Sequence, residues 1–146
     1  MNSEKRFFED VQIGDEIPTL VKEPVTEVQI VKYAGASGDF NPLHIVHSFG
    51  EKAGFGGVIA HGMIIMGFLG QMLTSGLPDG FIRKFGVNFR AVTKPGDTVT
   101  CRGKVINKFL DGKDHCIEIE LAAENQRGET PATGKAIAVL PSRSSQ

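Results

Sequence analysis

In the eight residues from Ser37 to His44, SGDFNPLH, a carboxylate and an imidazole stand five positions apart on a segment that signals a turn twice, at Gly-Asp and at Asn-Pro. A carboxyl and a histidine aimed at one point form a proton-transfer pair: a water between them can lose a proton to one while the other delivers a proton elsewhere. A regular helix would send Asp39 and His44 apart, whereas a loop stiffened by Pro42 can turn both toward one point. Taken alone, the bland alternatives stand beside this one. Aspartate in a turn more often caps backbone amides, and a lone histidine is readily a satisfied structural residue.

The sequence AHGM, with His61 seventeen residues after His44, opens the most apolar stretch of the chain. The first amides of a helix have no intrahelical acceptor and carry the positive end of its dipole. The Gly62 amide can approach a ligand carbonyl with no Cβ in the way, which makes it a candidate oxyanion donor. Asp39, His44 and Gly62 together suit addition of water to, or its removal from, a carbon β to an activated carbonyl. His44 and His47 form an H-x-x-H, and His61 or Asp39 is available as a further ligand. Metal motifs of this kind need their ligands on one regular helix face, so no metal is expected here.

These groups need elements to hold them. Thr26 is a good N-cap for a short helix with Val28, Val31 and Ala34 on one face, stopped at Gly35 or Gly38. Before it, EIPTLVKEPV reads as an extended segment that its two prolines make an irregular or edge strand. After the loop come a turn or two of helix in HSFGEKAG, then the long helix HGMIIMGFLGQMLTSG. The apolar residues of that helix go all the way round, so it is expected to be buried on every side. Beyond Pro78 the period changes to two, with Phe85, Val87, Phe89 and Ala91 on one face. A turn at Pro95–Asp97, a hairpin at Asp111-Gly112 and a turn at Gly128 then separate three more strands. Consecutive hairpins then make the expected fold α+β, a five-stranded antiparallel sheet curled around one buried apolar helix, which describes a hot-dog fold.

The 146 residues suit a single domain, 1–146, with 141–146 expected to be a frayed tail. Sixteen basic residues nearly balance seventeen acidic ones, which removes the electrostatic reason to expect nucleic acid or an anionic membrane as partner. MNSEKRFFED lacks the apolar core of a secretory signal. The run Met63 to Leu73 is shorter than the roughly 20 residues that cross a bilayer. Cys101 and Cys116 lack metal-ligand spacing and read as reduced core residues, and the expected location is cytoplasmic.

YAGASGDFNPLH at Tyr33 to His44, AGFGGVIAHGM at Ala53 to Met63 and GVNFRAVTKPGDTV from Gly86 resemble the MaoC-like hydratases, the (R)-specific enoyl-CoA hydratase family. The resemblance runs from Phe8 to Leu140. It implies a hot-dog fold, a homodimer, and trans-2-enoyl thioesters hydrated to (R)-3-hydroxyacyl thioesters. It implies no metal or redox cofactor; coenzyme A or an acyl-carrier phosphopantetheine enters only as part of the substrate. By the motif match Asp39 and His44 are the catalytic pair and Gly62 supplies the oxyanion amide. Asn41 braces the loop or the water, and His61 caps or positions the helix start. Asn41, His61, Met63, Gly67 and Gly70 are the expected substrate-site residues, the two helix glycines hinting at room for a longer acyl chain. His44 is assigned as base toward water and Asp39 as donor to the α-carbon, roles that remain exchangeable because both groups share one water.

Two positions depart from the family pattern: Val46 stands where aspartate is frequent, and Gly50 where alanine or serine is usual. Arg83, Lys84, Arg90 and Lys94 are cations that ordinarily serve a solvated face, with coenzyme A phosphates as the alternative. A 3-hydroxyacyl-carrier-protein dehydratase uses the same residues on another carrier and stays open. So do one subunit of a heterodimeric dehydratase and, more distantly, a hot-dog thioesterase.

Overall fold

The turn signals and the change of period from helical to two are met almost one for one in the computed structural model, which describes residues 6–145. A short 3-10 turn (Phe8–Asp10) leads into strand β1 (Glu16–Val21), followed by helices α1 (Glu27–Ser37), α2 (Pro42–Ile45), α3 (His47–Lys52) and α4 (Gly62–Gly76). Strands β2 (Phe81–Phe89), β3 (Val99–Asp111), β4 (Asp114–Asn125) and β5 (Ala132–Leu140) complete the chain, with a last 3-10 turn at Arg143–Ser145. The strands form one antiparallel sheet in the order β1-β3-β4-β5-β2. The sheet wraps α4, and this is the expected hot-dog arrangement.

Local chemistry explains most boundaries. Thr26 Oγ1 accepts from the Gln29 amide at 3.0 Å and starts α1, and Gly38, at φ 75°, stops it in the left-handed conformation that glycine adopts without strain. Asp111 pairs with Asp114 across a two-residue link whose Gly112 has φ 61°, as a tight hairpin requires. The two facing carboxylates are offset by Arg83, which pairs with both. Pro18 lies in edge strand β1, inside the interval where its register with β3 slips between Ile17 and Leu20.

Three expectations change. In α1 the buried face is Ile30 and Ala34, a spacing of four, whereas Val28 and Val31 are exposed. Helix α4 is buried only toward the sheet, through Ile64, Ile65, Phe68, Leu69, Met72 and Leu73; Met63, Gly67, Gln71 and Thr74 are exposed on its other side. Each side chain so buried contributes about 1.5–3 kcal/mol. Any two of them outweigh the roughly 1 kcal/mol that each of Gly67 and Gly70 costs against alanine. Finally, β2 does not form a hairpin with β3 through the Pro95–Asp97 turn. It crosses to the far edge and pairs with β5, where Phe85 and Val87 pack on the core.

The tail expected to fray is tied down as far as its side chains are described. Ser142 donates to Glu9 and Arg143 forms a two-pronged pair with Asp10. No helix among the described residues is long and apolar enough to cross a membrane.

Candidate active site

The turn after α1 constrains Asp39 from three directions. Its amide donates to Ser37 Oγ at 3.2 Å, its Oδ1 accepts from the Asn41 amide at 3.2 Å, and its carbonyl accepts from His61 Nε2 at 3.0 Å. Asn41 then caps α2, its Oδ1 accepting from the Leu43 amide at 3.0 Å with Pro42 in the first turn. Asn41 therefore braces the loop. His44 stands not on the loop itself but on the single turn of α2, which closes directly behind the Asn-Pro step.

The His44 ring is held by a backbone carbonyl. Its Nδ1 donates to Ile59 O at 2.7 Å, and a carbonyl can only accept, so the neutral ring carries its proton on Nδ1 and a lone pair on Nε2. Ile59 is itself anchored: its amide donates to Leu43 O at 3.0 Å, and the next amide, Ala60, donates to Thr93 O at 2.8 Å. His44 Nε2 then lies 3.9 Å from Asp39 Oδ2, too far for a direct hydrogen bond. Both atoms keep their capacity for a third group. The His44 side chain is 12% exposed and that of Asp39 54%, so the pair sits at the mouth of the site with the imidazole on the inner side.

These groups open on a cavity of about 360 Å³ whose lining includes Asp39, His44, His61, Gly62, Met63 and Phe89. Gly62 is the first residue of the fifteen-residue helix α4, so its amide has no intrahelical acceptor and stands at the positive end of the dipole. His61 occupies the N-cap position, but its side chain makes no cap. The ring turns instead to the Asp39 carbonyl and stacks on His44.

Next to Thr93, which lines the site, buried Asp97 pairs with the exposed Arg127 at 2.7 Å. Burial would push the Asp97 carboxyl up, but hydrogen bonds from Arg127, the Lys94 amide and Gln126 outweigh it and hold the group down at about 2. This pins the Lys94–Asp97 turn, which follows the Thr93 carbonyl that anchors Ala60. Burial pushes the Cys101 thiol up to about 11, which suits an inert core residue.

Asp39, His44 and His61 each offer a metal-ligating atom, all within 4.8 Å of one another. The two imidazole planes are inclined by only 23° with centroids 3.7 Å apart, so their in-plane lone pairs lie in separate, nearly parallel planes. A metal bond of about 2.0 Å from each nitrogen needs lone pairs that converge.

Of the expected substrate-site residues, the structure brings His61 and Met63 to the cavity. Gly67 faces outward, and a Cβ there would meet nothing within 4 Å; the space beside Gly70 is taken by the Phe85 ring at 3.3 Å. Arg83 is engaged at the β3–β4 hairpin, and Arg90 donates to Thr133 at 2.8 Å. A larger depression of about 460 Å³ lies over β2, β5 and β4, lined by Lys84, Arg90, Glu118, Glu120 and Lys135. It brings no carboxylate–imidazole pair together and is a charged trough on the sheet. Reading the sequence missed the Ile59 carbonyl, which as a backbone group leaves no mark in residue types, and Phe89, which it placed only on a strand face.

A MaoC-like domain model matches residues 7–126. The chain is 28% identical over 144 residues to the (R)-specific enoyl-CoA hydratase of Rhodospirillum rubrum, covering 94% of this chain and 93% of that protein. It is 31% identical over 102 residues to the 3-hydroxybutyryl-CoA dehydratase of Methylorubrum extorquens, covering 68% of this chain but only 63% of that relative. Among solved structures, the (R)-hydratase from A. caviae involved in PHA biosynthesis superposes with a TM-score of 0.81 at 25% identity, covering 91% of this chain and 99% of that one.

Proposed function

This chain belongs to the MaoC-like domain family, and on that premise we propose that it is a hydro-lyase adding water to trans-2-enoyl thioesters to give (R)-3-hydroxyacyl thioesters, in either direction. The observation that carries the reading is the fixed tautomer of His44. With Nδ1 committed to Ile59 O, the basic Nε2 faces Asp39 Oδ2 across 3.9 Å, in a cavity that the Gly62 amide also lines.

In this reading Nε2 of His44 takes a proton from water as the water oxygen bonds to the β-carbon. The π pair moves toward the thioester carbonyl, whose oxygen gathers charge against the Gly62 amide and the end of the α4 dipole. The enolate then takes a proton at its α-carbon from the Asp39 carboxyl in its protonated form. A proton passing from His44 to Asp39 restores the pair. Each step uses groups of this chain, so the reaction as proposed calls for no metal or redox cofactor. Coenzyme A or phosphopantetheine enters as part of the substrate.

We also propose that the working form is a cytoplasmic homodimer. Strand β2 is an outer edge of the sheet, with Phe81 67% and Phe89 51% exposed, and an open apolar edge of this kind needs a cover.

The test is to mix the purified protein with crotonyl-CoA and with a longer trans-2-enoyl-CoA, follow loss of the enoyl absorbance, and determine product chirality. Formation of (R)-3-hydroxyacyl-CoA is expected. An (S) product, or thiol release in place of hydration, would overturn the reading. A folded protein inert on both CoA esters but active on an enoyl-acyl-carrier protein, or only with a second chain, would move it to the carrier-protein or two-subunit dehydratase.

A further inference from the structure

We propose that His61 is a positioning residue that holds both members of the proton-transfer pair at once, an inference that rests on the assignment of Asp39 and His44 as that pair. His61 is 2% exposed, so its ring has one packed environment. Nε2 donates to the Asp39 carbonyl at 3.0 Å, while the ring stacks on His44 with centroids 3.7 Å apart and planes inclined by 23°. Tyr33, on α1, packs against the same ring in a T-shaped contact at 4.7 Å and 60°. One imidazole from the start of α4 is thus wedged between α1 and α2, touching the two residues whose relative position sets the site.

The geometry says what each contact restrains. Asp39 has its amide anchored on Ser37 Oγ and its Oδ1 on the Asn41 amide, both local contacts within the turn. The carbonyl bond from His61 spans twenty-two residues and ties that turn to α4. His44 has its ring edge anchored on Ile59 O, which leaves rotation about that bond; the face of His61 removes it. Within the pair, Asp39 Oδ2 and His44 Nε2 then face each other, free to meet a third group.

The same bond sets the His61 tautomer. A carbonyl partner on Nε2 requires the proton there in the neutral ring, which places the lone pair on Nδ1. Nδ1 is buried and has no hydrogen-bond partner among the described residues. A histidine kept in this form solely for packing would be replaceable by phenylalanine.

Two variants separate the contacts. His61→Phe keeps an aromatic face for His44 and removes the donor to Asp39; His61→Gln keeps a donor of similar reach and removes the stack. Misplacement of a reacting group by about 1 Å can cost about a hundredfold, so His61→Phe is expected to lower kcat by roughly ten- to a hundredfold with KM within about threefold. His61→Gln is expected to recover part of that loss. Full kcat in His61→Phe, with thermal stability unchanged, overturns the proposal. So does a rise in KM at constant kcat, which would make His61 a substrate contact.

A measurement independent of turnover keeps the proposal decidable if the variants do not fold or the hydratase reading fails. Long-range proton–nitrogen NMR of the imidazoles in the wild-type protein should show neutral His44 with its proton on Nδ1 and neutral His61 with its proton on Nε2. The opposite tautomer in His61 refutes its bond to Asp39 whatever the reaction is. Wild-type protein that shows the expected tautomers yet hydrates no enoyl thioester refutes the proposed reaction and leaves the wedge standing.

Discussion

The ring of Phe89, at the end of β2, lies across the first residue of helix α4, such that a Cβ on Gly62 would stand 2.9 Å from its Cδ1. Glycine at this point is therefore a packing requirement as well as an open approach to the amide. Gly62→Ala leaves the amide donor in place but forces the ring or the helix start to move. Phe89 is half exposed and can yield, so the loss should appear in activity more than in stability. We expect kcat to fall by about tenfold, short of the roughly 10²–10³ of losing an oxyanion donor outright. Phe89→Leu in the Gly62→Ala background should restore part of it, a coupling that a double-mutant cycle measures directly.

Removing either member of the pair should stop proton transfer without unfolding the chain. Asp39 is largely exposed, and His44 sits on a one-turn helix capped by Asn41. Asp39→Asn and His44→Ala are each expected to lower kcat by about 10²–10⁴. Because the two act as a unit, the double variant should lose little more than the worse single one. Steady-state rates, with circular dichroism as the folding control, check this.

Acid stability should depend on Asp97. The buried carboxyl sits at about 2 in the folded protein against an ordinary 3.8. A group depressed on folding contributes stability that is present above the unfolded value and is lost as pH falls through the folded one. That contribution is about 2 kcal/mol at neutral pH and should vanish between about pH 4 and pH 2. Urea unfolding across that window should show the loss in wild type. Asp97→Asn should start less stable and show a flatter profile; identical profiles would place the stabilisation elsewhere.

Gly50, where the family pattern suggests alanine or serine, has its own reason here. A Cβ at this position would stand 1.8 Å from the carbonyl oxygen of Gly57, a backbone atom that cannot swing aside as a side chain can. Gly50→Ala should destabilise the protein by about 1–3 kcal/mol, in the range of other overpacking changes. The urea midpoint reads this, and an unchanged midpoint would mean that the Gly54–Gly57 turn relaxes freely.

Much of this architecture is written locally. The Thr26 cap, the Gly38 stop, the Asp111-Gly112 hairpin and the period-two strands are short-range chemistry, and each stands where residue types place it. The buried face of α1 is not legible in this way, because Val28 and Val31 are as apolar as Ile30 and only the neighbouring elements decide which side is covered. The pairing of β2 with β5 is illegible for a related reason: a turn at Pro95–Asp97 is compatible with a hairpin or with a crossover, and local residue types do not choose between them.

The same division runs through the site. Residue types and their spacing determined that a carboxylate, an imidazole and a helix-initiating glycine were available, since Gly-Asp, Asn-Pro and AHGM are local instructions. Their working arrangement was decided by tertiary structure. Ile59 O selects the His44 tautomer from fifteen residues away, His61 reaches the Asp39 carbonyl across twenty-two, and Phe89 closes on Gly62 from the far edge of the sheet. Backbone carbonyls are the same in every residue, and ring stacking depends on which elements the core draws together. Neither leaves a pattern along the chain, so both appear only once burial of α4 has brought the four segments to one place.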